Sequence, residues 1–80
     1  MHSREYYERI QAKLRELVDW MKPNMPDQSF DQIIEYIEFN ELGLALEDII
    51  LALDEHSITI PSNLAEIITD LKKQNLEKVS

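Results

Sequence analysis

Apolar residues recur three and four positions apart along almost the whole chain, the period of a helix with one buried face; strand-like alternation is confined to Ile58 and Ile60. Tyr6, Ile10, Leu14, Leu17, Val18 and Met21 form one such stripe. They predict a first helix over about residues 3–21, with Ser3 as N-cap, Glu5 in the first turn, and Pro23 and Pro26 as its stop. Ser29 and Gln32 have the spacing of a capping box, so a second helix is expected over 30–39 with Ile33, Ile34 and Ile37 inward. A third is expected over 42–55 after a very short turn. Residues 57–62 read as an extended connection, because three residues of alternation cannot make a sheet. Pro61, Ser62 and Asn63, the last with Glu66 three residues on, announce a fourth helix over 63–73 that presents Leu64, Ile67, Ile68 and Leu71. Residues 74–80 are a polar tail expected to fray. Each apolar stripe needs a partner to cover it, so the 80 residues predict an all-α fold, a compact four-helix bundle forming one small domain.

The third helix departs from simple amphipathicity. Leu42, Ala45, Leu46, Ile49 and Leu53 make its inward stripe, while Leu44 and Leu51 project from nearly the opposite side, bordered by Glu47, Asp48, Asp54 and Glu55. That composition suits an interaction surface. The competing reading is a helix buried all round, with the 57–61 connection folded over Leu44 and Leu51. On the second helix Asp31, Glu35 and Glu38 share one stripe, and Tyr36 and Phe39 fall off the core side, as aromatic anchors beside carboxylates do at protein interfaces. For Phe39 alone, packing into the turn before Leu42 is the preferred expectation. Trp20 is expected to cap the core edge.

Charge sharpens this picture. Between Pro23 and Pro61 stand nine acidic residues, Asp27, Asp31, Glu35, Glu38, Glu41, Glu47, Asp48, Asp54 and Glu55, and no Lys or Arg. Average composition would place roughly five basic residues there. The formal charge of −8 therefore resides in the middle of the chain, since the two ends are close to balanced. Such a surface repels phosphate backbones and anionic membranes and attracts basic protein surfaces, so a cationic protein partner is expected and direct nucleic-acid or membrane binding is not. A solvated face that only keeps the protein dispersed is the plainer alternative. The basic residues of the first helix alternate with acids at pairing distances such as Glu5 to Arg9 and Arg15 to Asp19, and read as intrahelical pairs.

Catalytic chemistry finds little to work with. His2 and His56 stand at a terminus and a helix end, outside any metal-ligand spacing. Glu47-Asp48 and Asp54-Glu55 are adjacent in sequence, so their side chains diverge on a helix instead of forming a matched acid and base. Gly43 is the single glycine, which leaves no phosphate-cradling loop and no calcium loop. A chain of this size buries only roughly 60 to 65% of its unfolded surface, enough for a small core but not for a deep enclosed cavity. A non-enzymatic protein without cofactor or metal is the expectation. Residues 1–6 lack the apolar core of a signal peptide, no apolar run reaches membrane-spanning length, and cysteine is absent, so a cytoplasmic setting is expected.

Residues 35–48, Glu35-Tyr36-Ile37-Glu38-Phe39-Asn40-Glu41-Leu42-Gly43-Leu44-Ala45-Leu46-Glu47-Asp48, followed by Leu53 and by Ile58-Thr59-Ile60-Pro61 before a last helix, resemble the small helical immunity proteins of the MafI type. Similar, CdiI-like proteins accompany the toxins of contact-dependent growth inhibition in bacteria. The resemblance covers roughly residues 30–75 and is most distinctive over Asn40 to Asp48. It implies a cytoplasmic antitoxin that binds the toxic C-terminal domain of a secreted effector, often a nuclease such as an EndoU-like ribonuclease, whose groove must be basic. On that reading Asp31, Glu35, Glu38, Glu41, Glu47, Asp48, Asp54 and Glu55 steer the toxin, and Tyr36, Phe39, Leu44 and Leu51 supply the desolvated centre. The main alternative is a helical adaptor or weak homodimer in which Leu44 and Leu51 meet their symmetry mates. A third reading is an acidic mimic of nucleic acid that acts on another nucleic-acid-binding protein.

Overall fold

The computed structural model describes residues 4–74; the expected N-cap at Ser3, and His2, lie outside them, as does the tail beyond Gln74. Among the described residues the chain forms four helices and no strand: α1 (Arg4–Asn24), α2 (Asp31–Glu38), α3 (Leu42–Glu55) and α4 (Ser62–Lys73). α1 packs against each of the other three, and α2 packs most extensively on α3. Their apolar faces meet in one continuous core that contains no polar or charged residue among those described. This is the expected all-α four-helix domain.

The stripe of α1 is inward as expected, with Ile10, Leu14, Leu17, Val18 and Met21 buried and Tyr6 half-buried against them. Its end differs from expectation. Pro23 does not stop the helix at Met21 but lies inside the last turn, and the helix reaches Asn24. Proline removes the N–H that would reach the Asp19 carbonyl and crowds that carbonyl, so the helix runs past Pro23 at the cost of one bond. Beyond it the Asn24 side-chain amide donates to the Trp20 carbonyl at 2.7 Å and Met25 N–H to the Met21 carbonyl at 2.8 Å, which close the end of the helix. Met25, one helical turn beyond Met21, thereby joins the core, as does Phe30.

Neither expected capping box forms. α2 has Phe30 and α4 has Pro61 at the N-cap position, and neither helix has a side-chain cap bond. α4 accordingly begins one residue earlier than expected, at Ser62, where the extended backbone of Pro61 leads directly into the first turn. The inward stripe of α3 is also rotated slightly: Ala52 is buried and Leu53 only half-buried. Ile58 and Ile60 are half-buried against the core without forming a strand.

Two tight helix ends are closed by left-handed residues that are not glycine, Asn40 (φ 60°) and Ser57 (φ 51°). After α2, Asn40 N–H donates to the Ile37 carbonyl (3.2 Å) and Glu41 N–H to the Tyr36 carbonyl (2.8 Å). After α3, Ser57 N–H donates to the Asp54 carbonyl (3.2 Å) and Ile58 N–H to the Leu53 carbonyl (3.3 Å). Both are Schellman closures, which satisfy carbonyls that the helix itself leaves open. The Ile37 carbonyl also accepts from the Gln11 side-chain amide of α1 (2.8 Å), so the end of α2 is anchored to its neighbour. Near the start of α1, the Tyr6 hydroxyl donates to Gln74 Oε1 (2.7 Å). Gln74, expected to open the frayed tail, is instead half-buried and tied to α1.

Candidate partner-binding surface

The helical period puts the acids of α2 on one side. Asp31, Glu35 and Glu38 fall within about 60° of one another on a helical wheel, opposite buried Ile33 and Ile37, and all three are exposed. Tyr36 does not join them. It is half-buried and packed against the core, so its expected role as an exposed anchor is corrected to that of a core-edge residue. Phe39 departs in the other direction: it is 70% exposed instead of tucked into the turn before Leu42. The Schellman closure explains this, because Asn40 and Glu41 turn the chain back onto the end of α2 and Phe39, at the C-cap, is left outside.

On α3 the two competing expectations separate. Leu44 is 43% and Leu51 53% exposed, so the 57–61 connection does not fold over them. Glu47, Asp54 and Glu55 are exposed and Asp48 is half-buried. At 100° per residue the outward face resolves into three rows, each of two residues seven apart: Leu44 and Leu51 in the middle, Glu47 and Asp54 on one flank, Asp48 and Glu55 on the other. Glu41 stands exposed at the N-cap of α3.

The second flank borders a cleft of about 210 Å³ between α3 and the chain entering α2. Ile33 and Ala52, both buried, form its floor; Leu51, Asp48 and Glu55 border it from α3. Gln28, Ser29 and Gln32 close the other side. Sequence reasoning missed these three as surface residues and assigned Ser29 and Gln32 to a cap. The signal available was their polar character beside buried Phe30 and Ile33, which placed them on the outer side of α2's entry.

Among the described residues none of these carboxylates has an ion-pair partner. Among the described residues the ion pairs are Arg4–Glu8 (3.7 Å) and Lys13–Asp70 (3.5 Å), the second linking α1 to α4. The expected pairs Glu5–Arg9 and Arg15–Asp19 do not form; the exposed side chains gain too little in water to hold the geometry. Among the described residues no three His, Asp or Glu side chains converge on a metal-sized site, and no helix is long and apolar enough to cross a membrane. His56, at the C-cap of α3, uses Nδ1 to hydrogen-bond the Ala52 carbonyl (2.9 Å), which requires that nitrogen to carry the proton.

Among the described residues the molecule is thus an all-α four-helix domain whose α2–α3 pair presents carboxylates without ion-pair partners together with Phe39, Leu44 and Leu51. Comparison with protein-family models, with curated proteins and with solved structures gives no match.

Proposed function

We propose that this chain is an immunity protein that binds the toxic C-terminal domain of a bacterial effector stoichiometrically, in the cytoplasm and without turnover. The observation that carries the reading is a coincidence of position. Among the described residues the exposed large apolar ones, Phe39, Leu44 and Leu51, all lie in the segment that holds nine carboxylates and no cation. A solvated face needs only the charge, whereas an interface needs desolvated apolar groups ringed by charge that steers the partner. The sign of that charge selects a basic partner, for which a nuclease domain, EndoU-like or otherwise, is the natural candidate. The resemblance of residues 35–48 to MafI-type immunity proteins supports the same setting.

Self-association through α3 is the weaker reading. A second α3 laid on Leu44 and Leu51 would bring Glu47, Asp48, Asp54 and Glu55 against their own copies, and α3 has no Lys or Arg to offset them. The deciding experiment titrates the nuclease activity of the neighbouring effector's C-terminal domain with this protein at two ionic strengths. Inhibition saturating at a fixed molar ratio, with an association rate that falls as salt rises, is expected. No inhibition, together with a salt-insensitive dimer in solution, refutes the reading.

A further inference from the structure

We infer that the cleft between α3 and the entry to α2 receives an amphipathic helix of the protein partner, one that carries two cations seven residues apart with an apolar residue between them. The inference rests on the acidic-face reading above and narrows it to one place and one pattern.

Charge distinguishes the cleft from three other concavities among the described residues, including the one lined by Arg9, Lys13 and Asp70. The shallow one along α4 is lined by Lys13 and Lys73 as well as Glu66 and Asp70, so its charges are mixed. The one between α1 and α2 has Arg15 and Lys22 beside Asp19. The α2–α3 cleft has Asp48 and Glu55 alone, neither of them ion-paired within the protein among the described residues. These two carboxylates stand two helical turns apart, about 10.5 Å along the axis, too far to share one cation comfortably. Between them lie half-exposed Leu51 and the buried floor of Ala52 and Ile33. The cleft, about 210 Å³ and open to solvent, can receive a side chain approaching from outside. A helix laid along α3 matches this layout, since residues seven apart return to the same face and the residue midway between them points the same way. Arginine suits the two ends best, as its weakly hydrated fork can donate to the cleft's carboxylates and to the side-chain oxygens of Gln28 and Gln32.

A second copy of this chain does not fit. Its α1 does carry Arg15 and Lys22 seven apart, but Val18 between them is buried in its own core and the exposed residue there is Asp19.

The test uses two synthetic helical peptides of identical composition on an Ala/Gln background. One has a single Leu flanked by Arg three residues before and four after; the other has the two Arg four residues apart on the face away from Leu. Binding is followed by backbone amide shifts of the intact protein at low ionic strength. Expected is a roughly three- to tenfold preference for the seven-residue spacing, the scale of two exposed ion pairs, with shifts centred on Gln28 to Ile33 and Asp48 to Glu55. The double variant Asp48→Asn, Glu55→Gln should erase the preference, while Glu47→Gln, Asp54→Gln should retain it. Equal binding of the two peptides, or a preference that survives the first double variant, overturns the cleft but leaves the acidic-face reading standing. No binding of either peptide, or a concentration-dependent dimer lost in Glu55→Gln, also overturns it. The functional reading is decided separately by the effector titration.

Discussion

Replacing Ser57 by glycine should stabilise this protein, although it removes a side chain. Ser57 sits at φ 51°, the left-handed region, because the Schellman closure of α3 demands it. An L-residue there costs roughly 1–2 kcal/mol relative to glycine, since its Cβ crowds the following carbonyl oxygen. Glycine gives back part of that gain, about 0.5–1 kcal/mol, by loosening the unfolded chain. The Ser57 side chain is exposed and makes no hydrogen bond among the described residues, so nothing else is lost. The net gain for Ser57→Gly is about 0.5–1 kcal/mol, which for a domain of this size raises the melting temperature by roughly 2–8 °C. Thermal and urea melts followed by far-ultraviolet circular dichroism read it directly, and the urea slope should not change. Asn40→Gly is the internal comparison: asparagine tolerates the left-handed region, so its gain should be smaller. An unchanged or lowered midpoint for Ser57→Gly, with Asn40→Gly behaving as expected, would refute the argument.

Other perturbations separate the core, the α1–α2 tie and the acidic face. Leu14 is fully buried, so Leu14→Ala should cost about 2–5 kcal/mol against a total of roughly 4–12 for a chain this long, and urea denaturation should show a domain close to unfolding. Gln11→Leu removes one of the two donors to the Ile37 carbonyl; the Asn40 N–H stays in place, and a loss of about 1 kcal/mol in the same assay is expected. Changing Glu35, Glu38, Glu47 and Asp48 together to Lys should leave the melt within about 1–2 kcal/mol of the parent but slow association with a basic effector domain severely, as stopped-flow mixing would show. Unaltered toxin affinity in that variant would place the interface elsewhere.

Much of the architecture was legible in the residues. The three-and-four spacing located all four helices, and α3 begins and ends where its pattern and its flanking turns predict, at Leu42 and Glu55. The misjudged boundaries share a cause. Pro23, Ser29 and Asn63 are local signals, and each was outweighed by what surrounds it: Asn24 and Met25 bond back to Trp20 and Met21 and close the turn past Pro23, while buried Phe30 and exposed Pro61 took the cap positions. The left-handed ends were invisible for a related reason, since the single glycine lies inside α3, where the usual marker for such a closure has no bearing on either end.

Sequence by itself determined the helical class, the inward stripes and the segregation of acid into the middle of the chain, because period and composition are properties of the chain before it folds. Only the tertiary structure decided which outward apolar residues stay uncovered. A helical period says on which side Phe39, Tyr36, Leu44 and Leu51 project, but whether a neighbour lies on that side depends on how the helices are placed around α1. That placement buried part of Tyr36 and left Phe39, Leu44 and Leu51 in solvent. It also made a cleft of Asp48, Leu51 and Glu55 with residues some twenty positions earlier, a juxtaposition that no local pattern encodes.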